Sequence, residues 1–505
     1  MLSILTQARD RFVSNARDPL IRKQVGALAL GKLLGMGLVL SLMLYLTPVV
    51  AHAAAKDAGP TPTMNAVNTV WTLVAAFLVF CMQVGFVMLE AGFARSRESV
   101  NILVEGIVDT CICGILFWAW GFAFMFEDGP GTHGLIGTHG FFLEGLSPTY
   151  LATGVPLLAF WVFQFAFADT ASTITSGAMI GRCGFWGDIV YSIGVTGFIY
   201  PIIGHWSWGP DGWLASLGFH DFAGSTVVHT IGGVISLAGA LALGPRLGRI
   251  FKRDGGGPPP PHDLVIGAVG GLILWFGWYG FNPGSTLSAL DVQGIGRVSF
   301  NTTLAACSAG LVALFIAKAQ SGKWDLGMVV NGFLGGLVAI TCPCYWVDPV
   351  GAFLLGAIAA PVVIYSADLL EWLRIDDPIG AVPVHMFAGI WGTLSLGLFA
   401  AGVYGFPTAT GADTSAPVTG LFYGGGWEQL KLQALGSGVT VAATLAVSLL
   451  MMYALKWAGI LRLSAAGEIE GMDLHEHGSS AYPEFALATT VTPLESAVAI
   501  VETMD

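Results

Sequence analysis

The sequence predicts an all-α polytopic membrane protein: eleven transmembrane helices, arranged as two inverted five-helix repeats plus one extra helix, after an N-terminal signal peptide. Three observations predict it. The 505 residues are 54% hydrophobic and only 11% charged, against about 25% charged residues in soluble domains. Apolar stretches of roughly 20 residues, long enough to span a bilayer, recur along the chain. One short pattern, Asp…Gly…Val-His…Gly, occurs twice at matching places. The 69 glycines fit helices that pack closely where burial alone gives no driving force. The formal net charge of −12 argues against a nucleic-acid partner. The cysteine pairs 111/113 and 342/344 are C-x-C, without zinc or redox spacing.

In chain order, residues 1–53 read as a signal peptide or an uncleaved helix. A basic region (Arg9 to Lys32) precedes an apolar run and Ala-x-Ala sites near Ala53. Apolar stretches follow at about 69–94, 99–126, 152–180, 184–205, 224–245, 263–285, 299–318, 327–343, 348–371, 380–402 and 432–457, the eighth being short. Residues 54–245 hold an extracellular N-terminus and the first repeat, and 263–402 hold the second. Between them, 246–262 is a cytoplasmic linker with three glycines and Pro258 to Pro261, which cannot continue a helix. Residues 403–457 are an extracellular loop and the eleventh helix, and 458–505 a cytoplasmic tail. Starting outside and alternating puts Arg95, Arg97, Arg182, Arg246, Arg249, Lys252, Arg253, Lys318, Lys323 and Arg374 inside, and Arg297 and Lys431 outside. This follows the positive-inside rule, so the N-terminus lies outside and the C-terminus in the cytoplasm.

The repeated pattern aligns Asp221 with Asp377, Gly224 with Gly380, His229 with His385 and Gly233 with Gly389. Each copy opens the fifth helix of its half. Eight residues of helix rise about 12 Å, so each His lies near mid-bilayer and each Asp near a surface. Because the copies enter from opposite sides, the histidines can meet while the aspartates stay apart. Two facing imidazoles can share a hydrogen bond, offer polar atoms to a small substrate or pass a proton. The plainest reading of Asp221 and Asp377 is helix capping; a carboxylate at Asp221 would also favour a nearby cation. Aromatic residues cluster toward the outer side: Phe163, Phe165 and Phe167, then Trp275 to Phe281, and Trp206, Trp208 and Trp213. An interfacial belt accounts for Trp206 and Trp213, but less well for Phe167 and Phe281. Aromatic faces attract cations by about 0.5–2 kcal/mol. A path of rings and neutral histidines has no fixed charge to solvate a metal ion. It suits ammonium, which can shed a proton and cross as a neutral molecule.

The sequence resembles the ammonium transporter family (Amt/MEP/Rh), on the Amt side, over about residues 65–482. The motifs are Asp-Phe-Ala-Gly-x-x-Val-Val-His at 221–229, Gly-Trp-Tyr-Gly-Phe-Asn-x-Gly-Ser at 277–285, Asp-Asp-Pro…Val-His at 376–385, and Glu-Gly-Met-Asp at 470–473. The resemblance implies a homotrimer with one narrow pore per subunit, in a cell membrane, expected to be a bacterial inner membrane, and surrounded by lipid. It makes His229 and His385 the central pair and Phe167 and Phe281 a stacked gate above them. Trp208 and Ser285 would form an outer ammonium site with Phe167, supported by Asp221, and Trp278 would line the pore. Methylammonium is the expected analogue. The tail, Glu468 to Tyr482, resembles the family's regulatory segment, expected under a neighbouring subunit, with a PII-type protein as cytoplasmic partner. Three positions depart from the family pattern. Pro210 and Asp211 stand where glycines are usual, which leaves Trp206 and Trp213 competing for the role of Trp208. Asp169 replaces a small residue, and the sequence alone gives no account of it. Gly181 stands within a usual Ala-Glu-Arg-like ending, so a cytoplasmic contact is expected to be missing.

No redox centre, phosphate loop or metal-ligand motif occurs in the sequence, so neither an enzyme nor a cofactor is expected. Two other functions use the same residues: an ammonium sensor signalling through the tail or a separate partner, and a channel for neutral ammonia.

Overall fold

The computed structural model describes residues 62–150, 153–402 and 418–483; the expected signal peptide, 1–53, lies outside the described residues. The chain divides into two compact units, Met1–Ala66 and Val67–Asp505. Of the first, only residues 62–66 are described, and they open the first helix.

Among the described residues, ten helices are long and apolar enough to cross a membrane. They are α1 (Pro62–Phe93), α2 (Ser96–Phe126), α3 (Leu157–Ser176), α4 (Phe185–Ser216), α5 (Ser225–Leu243), α6 (Leu264–Thr286), α7 (Val292–Ser321), α9 (Pro349–Leu373), α10 (Val382–Phe399) and α11 (Glu428–Trp457). A shorter apolar helix, α8 (Leu326–Thr341, 16 residues), occupies the eighth predicted stretch. The chain is thus an all-α polytopic membrane protein. Its described strands are two antiparallel ribbons of two residues per strand, Thr149–Tyr150 with Val155–Pro156 and Ala401–Gly402 with Val418–Thr419.

Aspartates start several of these helices. Asp263 accepts the amide N–H groups of Val265 and Ile266, Asp325 that of Met328, and Asp348, just before Pro349, that of Gly351. Each satisfies donors that the first helical turn leaves unpaired. Packing inside the bundle follows side-chain size. On α7 the buried positions include Ala305, Ala306, Ala309, Gly310 and Ala313, while Leu311 and Phe315 are exposed. Small residues let helices touch, and the large apolar ones point outward from the bundle. The linker is tied to the end of α9: Lys252 pairs with Asp368 at 2.6 Å, and Arg374 forks onto Asp254 at 2.7 and 2.9 Å. The tail forms α12 (Ala465–Glu470) and α13 (Met472–His477). It docks on its own chain: Arg97 donates to the Ile469 carbonyl, Asp473 accepts the Asn101 amide, and Glu468 accepts from both Leu247 and Arg462.

The matched glycines mark where α5 and α10 cross. A Cβ on Gly389 would lie 2.5 Å from the Thr230 hydroxyl and 2.6 Å from the Ser225 carbonyl, and one on Gly233 would strike the backbone of Met386. Gly389→Ala is therefore expected to destabilise the protein by about 1–3 kcal/mol through overpacking. Gly438→Ala on α11, where a Cβ meets nothing within 4 Å, should be neutral or stabilising by about 0.5–1 kcal/mol. Thermal unfolding of the two variants in detergent reads both signs.

Candidate functional site

Each histidine sits on a short π-helical turn, 225–230 in α5 and 382–387 in α10. The two turns begin alike. Asp221 Oδ1 accepts the N–H of Gly224 and Ser225, each at 3.0 Å, and Oδ2 accepts Thr226 at 2.8 Å and Val227 at 2.9 Å. Asp377 Oδ1 accepts Gly380 at 3.0 Å and Ala381 at 3.1 Å, and Oδ2 accepts Val382 at 2.8 Å. Gly224 and Gly380 have φ of +115° and +83°, a left-handed conformation that glycine takes at little cost. It lets the chain swing from the Asp into the helix. The Asp-x-x-Gly spacing of the repeat is thus a capping device. Burial pushes the Asp221 carboxyl up to about 6, although its four N–H partners pull the other way. Burial likewise raises Asp377 against its N–H bonds. The sequence reading starts the helix near Gly224; it begins one residue later, and with a wider turn, so less helical rise separates Asp from His.

The histidines meet. His229 Nδ1 and His385 Nδ1 lie 3.2 Å apart, both side chains buried. A hydrogen bond at that distance needs one ring to donate and the other to accept. His229 Nε2 has no hydrogen-bond partner among the described residues. A column of rings runs through the pair. Trp208 lies 6.1 Å from Phe167, Phe167 stacks on Phe281 at 4.0 Å, and Phe281 stacks on His229 at 5.3 Å. His229 to His385 is 5.3 Å, and His385 to Phe86 is 6.3 Å. Trp278 flanks the column, stacked on His229 at 5.1 Å and anchored by its indole N–H to Thr341 at 2.9 Å. Ser285 is buried one turn beyond Phe281 and donates its hydroxyl to the Phe281 carbonyl at 2.7 Å.

The structure distinguishes the competing tryptophans. Trp208 is buried, donates to the Asp221 carbonyl at 2.8 Å and faces Phe167. Trp206 and Trp213 pack on each other at 5.8 Å. Asp211 accepts the Gly129 amide at 3.2 Å and lies 3.1 Å from His205, so this departure ties the loop together. Asp169 accepts the Thr110 hydroxyl at 3.0 Å. Gly181 leaves room for Glu98, whose Oε1 lies 2.6 Å from where a Cβ would be and which pairs with Arg95. A carboxylate is present there after all, supplied from α2. Buried acids absent from the sequence-derived site include Glu90, Glu105, Asp109 and Asp188; an acid inside an apolar stretch was the available signal.

Known proteins are similar to this chain in sequence and fold. The profile of the Ammonium Transporter Family matches residues 70–482. The chain belongs to the ammonium transporter family. It is 42% identical over 441 residues to ammonium transporter Amt2 of Archaeoglobus fulgidus, covering 85% of this chain and 91% of that one. It is 36% identical to ammonium transporter 3 of Dictyostelium discoideum over 82% of this chain and 94% of that one. Among solved structures, one named Sensor Amt Protein superposes with a TM-score of 0.74 at 36% identity, covering 82% of this chain and 99% of that one. Mep2 of Saccharomyces cerevisiae gives 0.72 at 28% identity, over 80% and 88%. The relatives named here as ammonium transporters are transporters, not enzymes.

Proposed function

We propose that this chain transports ammonium across a cell membrane. Ammonium is recruited at the outer mouth by Trp208, Phe167 and Ser285, with Asp221 holding the mouth in shape. Stacked ring faces stabilise a cation there by about 0.5–2 kcal/mol each. The proton leaves below this site. Ammonia passes the gate of Phe167 and Phe281, then Trp278 and the pair His229 and His385, while a proton travels separately along the imidazoles. The observation that carries this reading is the 3.2 Å contact between the two imidazoles inside the ring column. It joins two polar, proton-exchanging groups in a wall that is otherwise apolar. The same reading takes the Asp221 end as outer and the Asp377 end as cytoplasmic, in a bacterial inner membrane. It takes three copies as the working assembly, surrounded by lipid, with a PII-type protein acting on the cytoplasmic side near the tail.

The test is current from purified protein in liposomes on a solid-supported membrane, pulsed with ammonium. Wild type should give a saturable current, and His229→Ala should reduce it about tenfold or more, the weight of one positioned proton-transferring group. No current, with an ammonia gradient still collapsing in a pH-dye assay, would make this a neutral-gas channel. A sensor is the second reading, supported by the likeness to the protein named Sensor Amt Protein. Ammonium binding without either flux signal would favour it.

A further inference from the structure

Below His385 lies a chamber of about 20 Å³, lined by Phe86, Glu90, Gly177, Asn331, Gly380 and His385 among others. A water-sized molecule needs about 10–15 Å³, so the chamber holds one molecule of the size of ammonia. It adjoins a cavity of 430 Å³ at the Asp377 end, with which it shares Asn331, Ile379 and Gly380. Glu90 is the carboxyl group of the chamber. It sits one turn after Phe86 on α1, the same helix face, and is 4% exposed. No cation pairs with it among the described residues. The Ser176 hydroxyl lies 3.2 and 3.4 Å from its two oxygens. That hydroxyl has a single hydrogen, and the Thr173 carbonyl is a nearer acceptor at 2.9 Å. Glu90 is therefore a buried carboxyl group whose one donor, the Ser176 hydroxyl, is shared with the Thr173 carbonyl, on the wall of a chamber it shares with His385. A buried carboxylate left in that state is costly; a proton or a small cation in the chamber removes the cost.

We infer that Glu90 exchanges protons with the substrate in this chamber and forms a second ammonium site at the inner end of the pore, an inference that rests on the ammonium-transport reading. Ammonia arriving past His385 takes the proton of the Glu90 carboxyl group. The O–H bond breaks, an N–H bond forms, and an ammonium–carboxylate pair results. Ammonium leaves into the larger cavity. The carboxylate then accepts the proton that was released at the other mouth and handed along His229 and His385. One ammonium enters and one leaves, with no proton left over.

The test compares wild type, Glu90→Gln and Glu90→Asp in liposomes, reading ammonium-evoked current and pH-dye ammonia flux on the same preparations. Glu90→Gln should lower the current about tenfold or more while dye-reported flux stays within about twofold. Glu90→Asp keeps the carboxyl group and should retain current. A Glu90→Gln current within about twofold of wild type overturns the role of Glu90. If Glu90→Gln aggregates, the pH at half-maximal current decides: Glu90→Asp should shift it, and an unchanged pH profile overturns the inference. A wild type without any ammonium-evoked current overturns the transport reading itself, and this inference with it.

Discussion

Replacing Asp221 by Ala is expected to abolish ammonium-evoked current and to leave little folded protein. One buried carboxylate accepts four consecutive backbone N–H groups, from Gly224 to Val227. All four residues are themselves buried, so water cannot replace the lost acceptor. Each orphaned donor costs about 1–3 kcal/mol, and even partial relaxation leaves a loss of several kcal/mol against a typical stability of about 5–15 kcal/mol. His229 lies two residues past the last of these amides, so freeing the turn also frees one half of the imidazole pair. Asp221→Asn should be intermediate. Its single oxygen can serve Gly224 and Ser225, while its amide nitrogen would face the N–H groups of Thr226 and Val227. Thermal unfolding in detergent and current in liposomes decide together. An Asp221→Ala protein that melts and conducts like wild type would show the cap to be dispensable.

Asp376→Ala should have the next largest effect. Asp376 is buried and binds Arg246 through the backbone N–H at 2.9 Å, Nε at 2.8 Å and Nη2 at 2.9 Å, with Arg249 Nε at 3.2 Å. Arg182 donates to its carbonyl at 2.7 Å and to that of Gly244 at 3.0 Å. Arg182 is buried, and burial draws its guanidinium down to about 10. Removing the carboxylate leaves the buried Arg246 without its anion, a loss of about 3–5 kcal/mol, whereas Arg249 keeps its pair with Glu371. The pair is also pH-dependent. Burial alone would raise the Asp376 carboxyl, but the Arg246 hydrogen bonds and charge more than reverse this and hold it well below the usual carboxylate range. A depressed folded value stabilises the native state fully above the unfolded value of 3.8 and loses that contribution as pH falls through the folded value. The difference in melting temperature between wild type and Asp376→Asn should therefore be largest near neutral pH and shrink below about pH 4. A difference that grows on acidification would refute the ion-pair account.

What was legible in the sequence was whatever repeats or alternates locally. The two Asp-x-x-Gly…His patterns gave the crossing helices, because capping, a left-handed glycine and a helix face are all set within about a dozen residues. The apolar stretches gave the spans, with ends shifted by several residues: α7 starts at Val292, not 299, because Asp291 caps it earlier. Less legible was whatever depends on residues far apart in the chain. Nothing near Gly181 says that Glu98 fills its place. Nothing near Trp206 says that Trp208 is the ring turned toward Phe167. The partner of Asp169, Thr110, lies on another helix. The π-turns were also hidden, since the spacing from Asp to His fits an ordinary helix equally well.

The crossing of α5 and α10 bears on how the protein moves. Backbone meets backbone there, and α5 is also tied to the end of α8. The Phe222 and Ala223 amides bond to the carbonyls of Cys342 and Thr341, and the Ser225 hydroxyl bridges Val338 and Cys342. One half cannot rock against the other without tearing this seam. On the transport reading proposed above, the corridor is expected to keep its walls fixed while single rings move. Turnover should then depend on how fast two phenylalanines swing, so locking the halves together with a cross-link would leave the flux intact.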